Sequence, residues 1–143
     1  MAIKQLTVYV QNKKGAMAAL TDILAKNDVN IRALSIAETP DLGLLRIIVN
    51  DEEAAEKILV ENGYLIKAID VVGVKIGDKP GALTAALNVL DKADIDVEYL
   101  YAFMARTEKH AYVVLRVENN EKAEAALEEA GLHLITNADI CKL

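Results

Sequence analysis

Two short phrases carry the residue types from which a binding function can be argued, Asn12-Lys-Lys-Gly-Ala-Met17 and Asp78-Lys-Pro-Gly-Ala-Leu83. Each follows an apolar run that reads as a strand and precedes one that reads as a helix. A glycine at such a turn lets backbone approach a ligand closely, and the first helical turn presents N–H groups that have no acceptor within the helix. The chemistry on offer is capture of an anion, a carboxylate or a phosphate, at the positive end of a helix. Such a turn can equally be no more than a tight connection. Pro80 is expected at or near the first helical position, where its fixed φ fits and its missing N–H costs nothing. Catalytic chemistry has less to draw on. His110 and His133 are isolated and read as surface or partly packed side chains. Asp51-Glu52-Glu53 and Glu128-Glu129 fit helix-end charge and a solvated helix face. No Ser/His/Asp or Cys/His arrangement can be proposed from residue order. The lone Cys141 has no second thiol to pair with, no Cys/His spacing suggests a metal, and no cofactor is implied.

The elements that must position these turns repeat. Gly81 stands in the second phrase where Gly15 stands in the first, about half a chain later, so one module is written twice. In the first copy residues 3–10 alternate as a half-buried strand, with Leu6, Val8 and Val10 on one side. Met17, Leu20, Ile23 and Leu24 recur at helical spacing as a buried stripe. After a short connection at Asp28 comes a strand over Asn30 to Glu38, with Leu34 and Ile36 as expected core positions. Pro40-Asp-Leu-Gly43 is turn chemistry, and Leu44 to Asn50 pairs back as a hairpin. A helix opening at Asp51 buries Ala55, Ile58 and Leu59 and stops at Asn62-Gly63, and Leu65 to Asp70 is a fourth strand. The second copy is slightly longer. Leu83, Ala86, Val89 and Leu90 make its first stripe, Val97 to Arg106 and His110 to Glu118 its hairpin. Ala123, Ala126 and Leu127 form its second stripe, Gly131 its stop, and His133 to Ile140 its last strand. Each half therefore reads β-α-β-β-α-β, an α+β module with a four-stranded antiparallel sheet and two helices on one face. The expected modules span 1–70 and 71–143.

Composition narrows the partners. The 143 residues carry a formal charge of −6, which weighs against a nucleic-acid backbone, whose affinity comes largely from clustered Lys and Arg. Apolar residues make up 53%, yet no run approaches the roughly 20 that a membrane span needs, and no signal-peptide pattern is present. A cytoplasmic protein with small-molecule or protein partners, and no membrane or nucleic acid, is expected. On the helix-free face the first copy places Ala33, Ser35 and Ala37, whereas the second places Tyr99, Tyr101 and Phe103, with Tyr112 beside them. These aromatics read as a surface that packs on another sheet or another chain. A base-stacking platform is the other reading of that pattern, opposed by the missing basic groove.

The two glycine phrases, each followed by a helix and then by Val29-Asn-Ile31 or Ile95-Asp-Val97, resemble the ACT domain family of small-molecule sensing modules, over essentially the whole chain as two tandem copies. The resemblance implies a ferredoxin-like fold, modules side by side in one eight-stranded sheet, and a non-catalytic role in binding a free amino acid. It implies a ligand held by the first turn of one module and the second-strand start of the other. One site would then combine Asn12, Gly15, Ala16 and Met17 with Asp96 and Val97, and the other Asp78, Gly81, Ala82 and Leu83 with Asn30 and Ile31. Asn12 and Asn30 in one copy are Asp78 and Asp96 in the other, so the two sites are expected to differ. A carboxylate suits a ligand ammonium, whereas an amide both donates and accepts. Asp78 can equally be a turn or capping residue. A homodimer through the face of Tyr99, Tyr101, Phe103 and Tyr112 is expected. A regulatory subunit that works only with a partner enzyme is the alternative, and a small enzyme on the same fold would need a clustered Arg, His or carboxylate set that the sequence does not supply.

Overall fold

The computed structural model describes residues 3–105 and 109–143. The chain divides into two compact units, one of Lys4–Ile69 and one of residues 70–143 together with Ile3.

In the first unit β1 (Ile3–Gln11) leads into α1 (Ala16–Lys26), then the hairpin of β2 (Ile31–Glu38) and β3 (Leu42–Val49), then α2 (Glu52–Glu61) and the start of β4 (Leu65–Gly77). The strand order is β2-β3-β1-β4, and β3 is antiparallel to both β1 and β2. The alternation of β1 puts Leu6, Val8 and Val10 into the core, where they meet Leu45, Ile47 and Val49 of β3 and the stripe Leu20 and Leu24 of α1. Met17 and Ile23 are only partly buried at its margin. Asp51 caps α2, its carboxylate accepting from Ala54 N at 3.1 Å, and Ala55 and Leu59 close the core. After α1 the chain turns at Asp28, a non-glycine residue with φ 58°.

The second unit repeats this. From the end of β4 the chain passes through α3 (Ala82–Lys92), β5 (Val97–Ala102), β6 (His110–Val117), α4 (Asn120–Glu129) and β7 (His133–Leu134) to α5 (Asn137–Lys142). Here β6 lies between β4 and β5, and β7 pairs with β4, all antiparallel. Ala86 and Leu90 stand for Leu20 and Leu24, Ala123 and Leu127 for Ala55 and Leu59, and Asp94 takes the φ of 58° that Asp28 takes. Even the pairing irregularity recurs, between Ile31 and Ala33 in β2 and between Val97 and Tyr99 in β5.

Several expectations are corrected. The strand closing the first copy and the strand opening the second are one, the 13-residue β4, so the described residues hold seven strands rather than eight. The run Ile69-Asp-Val-Val-Gly-Val contains no turn dipeptide that would break it. Leu34 and Ile36 are not core residues: they are 41% and 55% exposed. Both pair with core residues of β3, but β2 is the outer strand of its unit and its far side is left uncovered. The last strand does not run from His133 to Ile140. It stops after two residues, and α5 follows, because Thr136 and Asp139 form a capping box in which each side chain bonds the other residue's backbone N–H. Strand β5 ends at Ala102, and the expected strand end at Arg106 lies outside the described residues.

The aromatic residues do share a face. Tyr99 lies opposite Arg116 and Tyr101 opposite Val114, while Phe103 N–H donates to the Tyr112 carbonyl at 2.9 Å. Their partners alternate with Val113, Leu115 and Val117, which enter the helix-side core. The Tyr99 and Tyr101 rings stack with centroids 6.4 Å apart. Tyr101 and Phe103 are each only 7% exposed, however, so the open part of this face is Tyr99 and Tyr112. No helix among the described residues is long and apolar enough to cross a membrane.

Candidate ligand-binding turns

Both glycine phrases fold into the same turn. The N–H of Ala16 donates to the Lys13 carbonyl at 3.2 Å, and Gly15 has φ 82° and ψ −5°. In the second unit Ala82 donates to Lys79, also at 3.2 Å, with Gly81 at φ 89° and ψ −12°. This is a four-residue turn whose third position needs positive φ, which glycine alone supplies without strain. Pro80 therefore occupies the second position of the turn, where its fixed φ also fits, and not the first helical position, which is Ala82.

The helices that follow these turns differ from their neighbours at the start. Asp51 and Asn119 cap α2 and α4 through side-chain bonds of 3.1 Å. Neither α1 nor α3 has a side-chain cap. Beyond Ala16 and Ala82, whose N–H groups the turns engage, the first-turn N–H groups are therefore left for solvent or a ligand.

Around the first turn, Asn12 is exposed and its Nδ2 donates to Glu38 Oε1 at 3.4 Å. A small hollow of about 170 Å³ opens there, lined by Asn12, Ala16 and Met17 with Val10, Gln11, Lys13, Ile36, Glu38 and Gly43. On the other flank of the same turn is a larger cleft of about 560 Å³, with Gly15 and Ala16 at its edge. Three of the four expected residues of this turn thus line one hollow, and Gly15 lines the other. Asn30 and Ile31 line neither. The backbone of Asn30 is engaged by Asn50, whose Oδ1 accepts from Asn30 N at 2.8 Å and whose N–H donates to Asn30 O at 3.1 Å. Ile31 packs against the core margin.

In the second unit Asp78 is exposed and its N–H donates to the Lys109 carbonyl at 2.9 Å, so it acts at least as a turn residue. Ala82 and Leu83 pack on the core and Gly81 is exposed. Asp96 lies apart from this turn's lining. It borders an open cleft of about 830 Å³ with Asp70, Asp94, Glu98, Glu118, Glu121, Glu124 and one cation, Lys122. Val97 packs on the core margin. Among the described residues no group of His, Cys, Asp or Glu is placed to hold a metal ion. Sequence reasoning missed Glu38, Ile36 and Gly43, which meet the first turn through the hairpin of β2 and β3. Their signal was register: Glu38 pairs with Gly43, which in turn pairs with Val10 of β1.

A family model described as an ACT domain pair matches residues 1–143. Among solved structures, a protein from Bacteroides thetaiotaomicron is 37% identical, with 100% of this chain and 98% of that one covered and a TM-score of 0.93. The ligand-free regulatory subunit of aspartate kinase from Thermus thermophilus is 18% identical, covering 91% of this chain and 93% of its own, with a TM-score of 0.64. The corresponding subunit from Thermus flavus is 17% identical, covering 92% and 94%, with a TM-score of 0.58. The likeness to the two Thermus subunits is one of fold. No protein of curated function matches this chain.

Proposed function

Because this chain belongs to the ACT domain pair family, we propose that it is a non-catalytic regulatory protein that binds a free amino acid at its strand-to-helix turns. The reading takes the chain as two ferredoxin-like βαββαβ modules, residues 1–70 and 71–143, acting as a sensor in the cytoplasm. The observation that carries it is the turn at Gly15. The uncapped start of α1 suits an α-carboxylate, the Asn12 amide and Glu38 carboxylate suit an ammonium, and Val10, Met17 and Ile36 offer apolar contact for a side chain. Asp78, Gly81, Ala82 and Leu83 form the second such turn. Asp96 with Val97 and Asn30 with Ile31 are proposed to complete the first and second sites. Since Asn12 and Asn30 are replaced by Asp78 and Asp96, the two sites are proposed to differ in affinity. Ligand would act by favouring one arrangement of a homodimer over another, with Tyr99 and Tyr112 as the open part of the contact face.

Thermal unfolding against each standard amino acid at millimolar concentration tests this. A ligand at about 100 times its Kd stabilises by about 2.7 kcal/mol, and at ~2–4 °C per kcal/mol the shift is several degrees. One or two selective hits support the sensor, and equal affinity at two sites would remove the asymmetry. Silence across the set would overturn amino-acid binding. A second reading, a subunit working only with a partner enzyme, is favoured by the likeness in fold to aspartate kinase regulatory subunits. Co-purification of an enzyme from native extract would select it over a free-standing sensor.

A further inference from the structure

The cleft on the other flank of the Gly15 turn has a chemistry of its own. Tyr9, Ala16, Ala19, Leu42, Tyr64 and Leu65 line it together with two cations, Lys13 and Lys14. At about 560 Å³ it is within the usual size of a small-molecule site. No Asp or Glu lines it, although the chain as a whole carries a charge of −6. Neither lysine ammonium has a carboxylate within ion-pair distance among the described residues. The exposed Leu65 and Leu42 and the half-buried Tyr9 and Tyr64 give apolar surface that an aromatic or branched body could cover.

The second copy does not preserve this lining. Lys75 and Leu132 stand where Tyr9 and Tyr64 stand, and Pro80 where Lys14 stands. The cleft is therefore a property of the first unit rather than of the repeated turn. It also differs from the hollow beside Asn12, which holds a carboxylate, Glu38, able to meet an ammonium. Lys13 lines both, so what sets the cleft apart is Lys14 and the lack of a carboxylate.

We propose that the cleft of Tyr9, Lys13, Lys14, Tyr64 and Leu65 binds a small organic anion that carries an apolar body and no ammonium. The lysines hold the charged end, and the tyrosines and Leu65 cover the apolar body. A zwitterion is disfavoured because its ammonium would face the two lysines with no carboxylate to pair with. The cleft adjoins the hollow of the amino-acid reading, with Val10, Gln11, Lys13 and Ala16 lining both, and is told apart by Tyr9, Lys14, Tyr64 and Leu65, which line it alone.

Amide NMR shifts of the full chain test the proposal, with phenylpyruvate, phenyl phosphate, L-phenylalanine and phenethylamine as probes of one shared ring. Phenylpyruvate or phenyl phosphate is expected to shift Gly15, Gly63 and Tyr64. Whichever binds more tightly distinguishes a carboxylate from a phosphate ligand. The double variant Lys13→Glu with Lys14→Glu, both exposed, should weaken that probe by about tenfold or more. Tyr64→Ala should weaken it as well, whereas Glu38→Gln and Lys79→Glu should not. Absence of shifts from both anions at millimolar concentration would overturn the proposal. So would equal binding of L-phenylalanine or phenethylamine at these amides, or an affinity untouched by the lysine reversals. Loss of binding in Glu38→Gln alone would place the anion on the other flank and overturn it too.

Discussion

Asn12 donates its amide to Glu38 across 3.4 Å, so the turn after β1 is tied to the last residue of β2 by a long, exposed bond. A bond of this length is weak, and its carboxylate can be released to a ligand. Glu38→Gln is expected to leave stability within about 0.5 kcal/mol. It should weaken an amino acid identified by the unfolding screen by about tenfold or more, since a hydrogen bond to a charged group is worth ~1.5–3 kcal/mol. Calorimetric titration of the variant reads this directly, and an unchanged affinity would place the ammonium elsewhere.

Gly15→Ala and Gly81→Ala test the turns by backbone strain alone. A Cβ added at either position meets nothing within 4 Å, but φ is 82° and 89°. Each variant should lose about 1–2 kcal/mol, and the Asn variants less, because asparagine tolerates this region. Urea midpoints would measure both. A loss close to zero in the Ala variants would show that the turn relaxes to another conformation.

The cap of α5 predicts a pH dependence. Hydrogen bonds from the Thr136 backbone and hydroxyl hold the Asp139 carboxyl below its ordinary range, with smaller help from His133 and Lys142. A carboxyl with a lowered folded pKa stabilises fully above its unfolded value, about 3.9, and the contribution fades as pH falls through the folded value. The stability gap between the native chain and Asp139→Asn is therefore expected to be constant near neutrality and to narrow below about pH 4. Thr136→Ala should cost about 1 kcal/mol at pH 7 and remove only the hydroxyl's share of that dependence, since the backbone N–H still donates to Asp139. A gap that widened on acidification would rule out the cap as its source.

Gly73 is expected to resist enlargement for a different reason. Its added Cβ would lie 3.0 Å from Ile135 Cβ and 3.1 Å from Ile3 Cδ1. The Cβ of Ile135 is fixed to a backbone whose N–H donates to Gly73 O at 2.8 Å, so it cannot swing aside. Gly73→Ala should cost about 1–3 kcal/mol. Adding Ile3→Val should recover only a small part, because it relieves one contact of the two. Full recovery in the double variant would show that Ile135 yields.

What the sequence made legible was local. Alternation in β1, the stripes of α1 and α3, the acidic start of α2 and the glycine stops all act over a few residues, and the structure keeps them. The failures share a cause in neighbours that a single strand cannot announce. Leu34 and Ile36 alternate as core residues should, but whether a helix reaches them depends on β2 being outermost. Tyr101 and Phe103 were legible as a shared face, though not as residues already buried. The α5 helix was the avoidable miss, because Thr136 and Asp139 stand three apart in the sequence. At the candidate site the turn residues were legible from their glycines. Glu38 and Tyr64 were not, since each reaches the turn from an element distant in the chain.

The course of β4 bears on how the protein can be cut. The boundary between the two units falls inside this strand, which runs unbroken from Leu65 to Gly77. Proteases and gene rearrangements part domains most readily at exposed, unpaired loop tips. Here that boundary is a strand with its backbone committed to a sheet, so nicking is expected first at other connections.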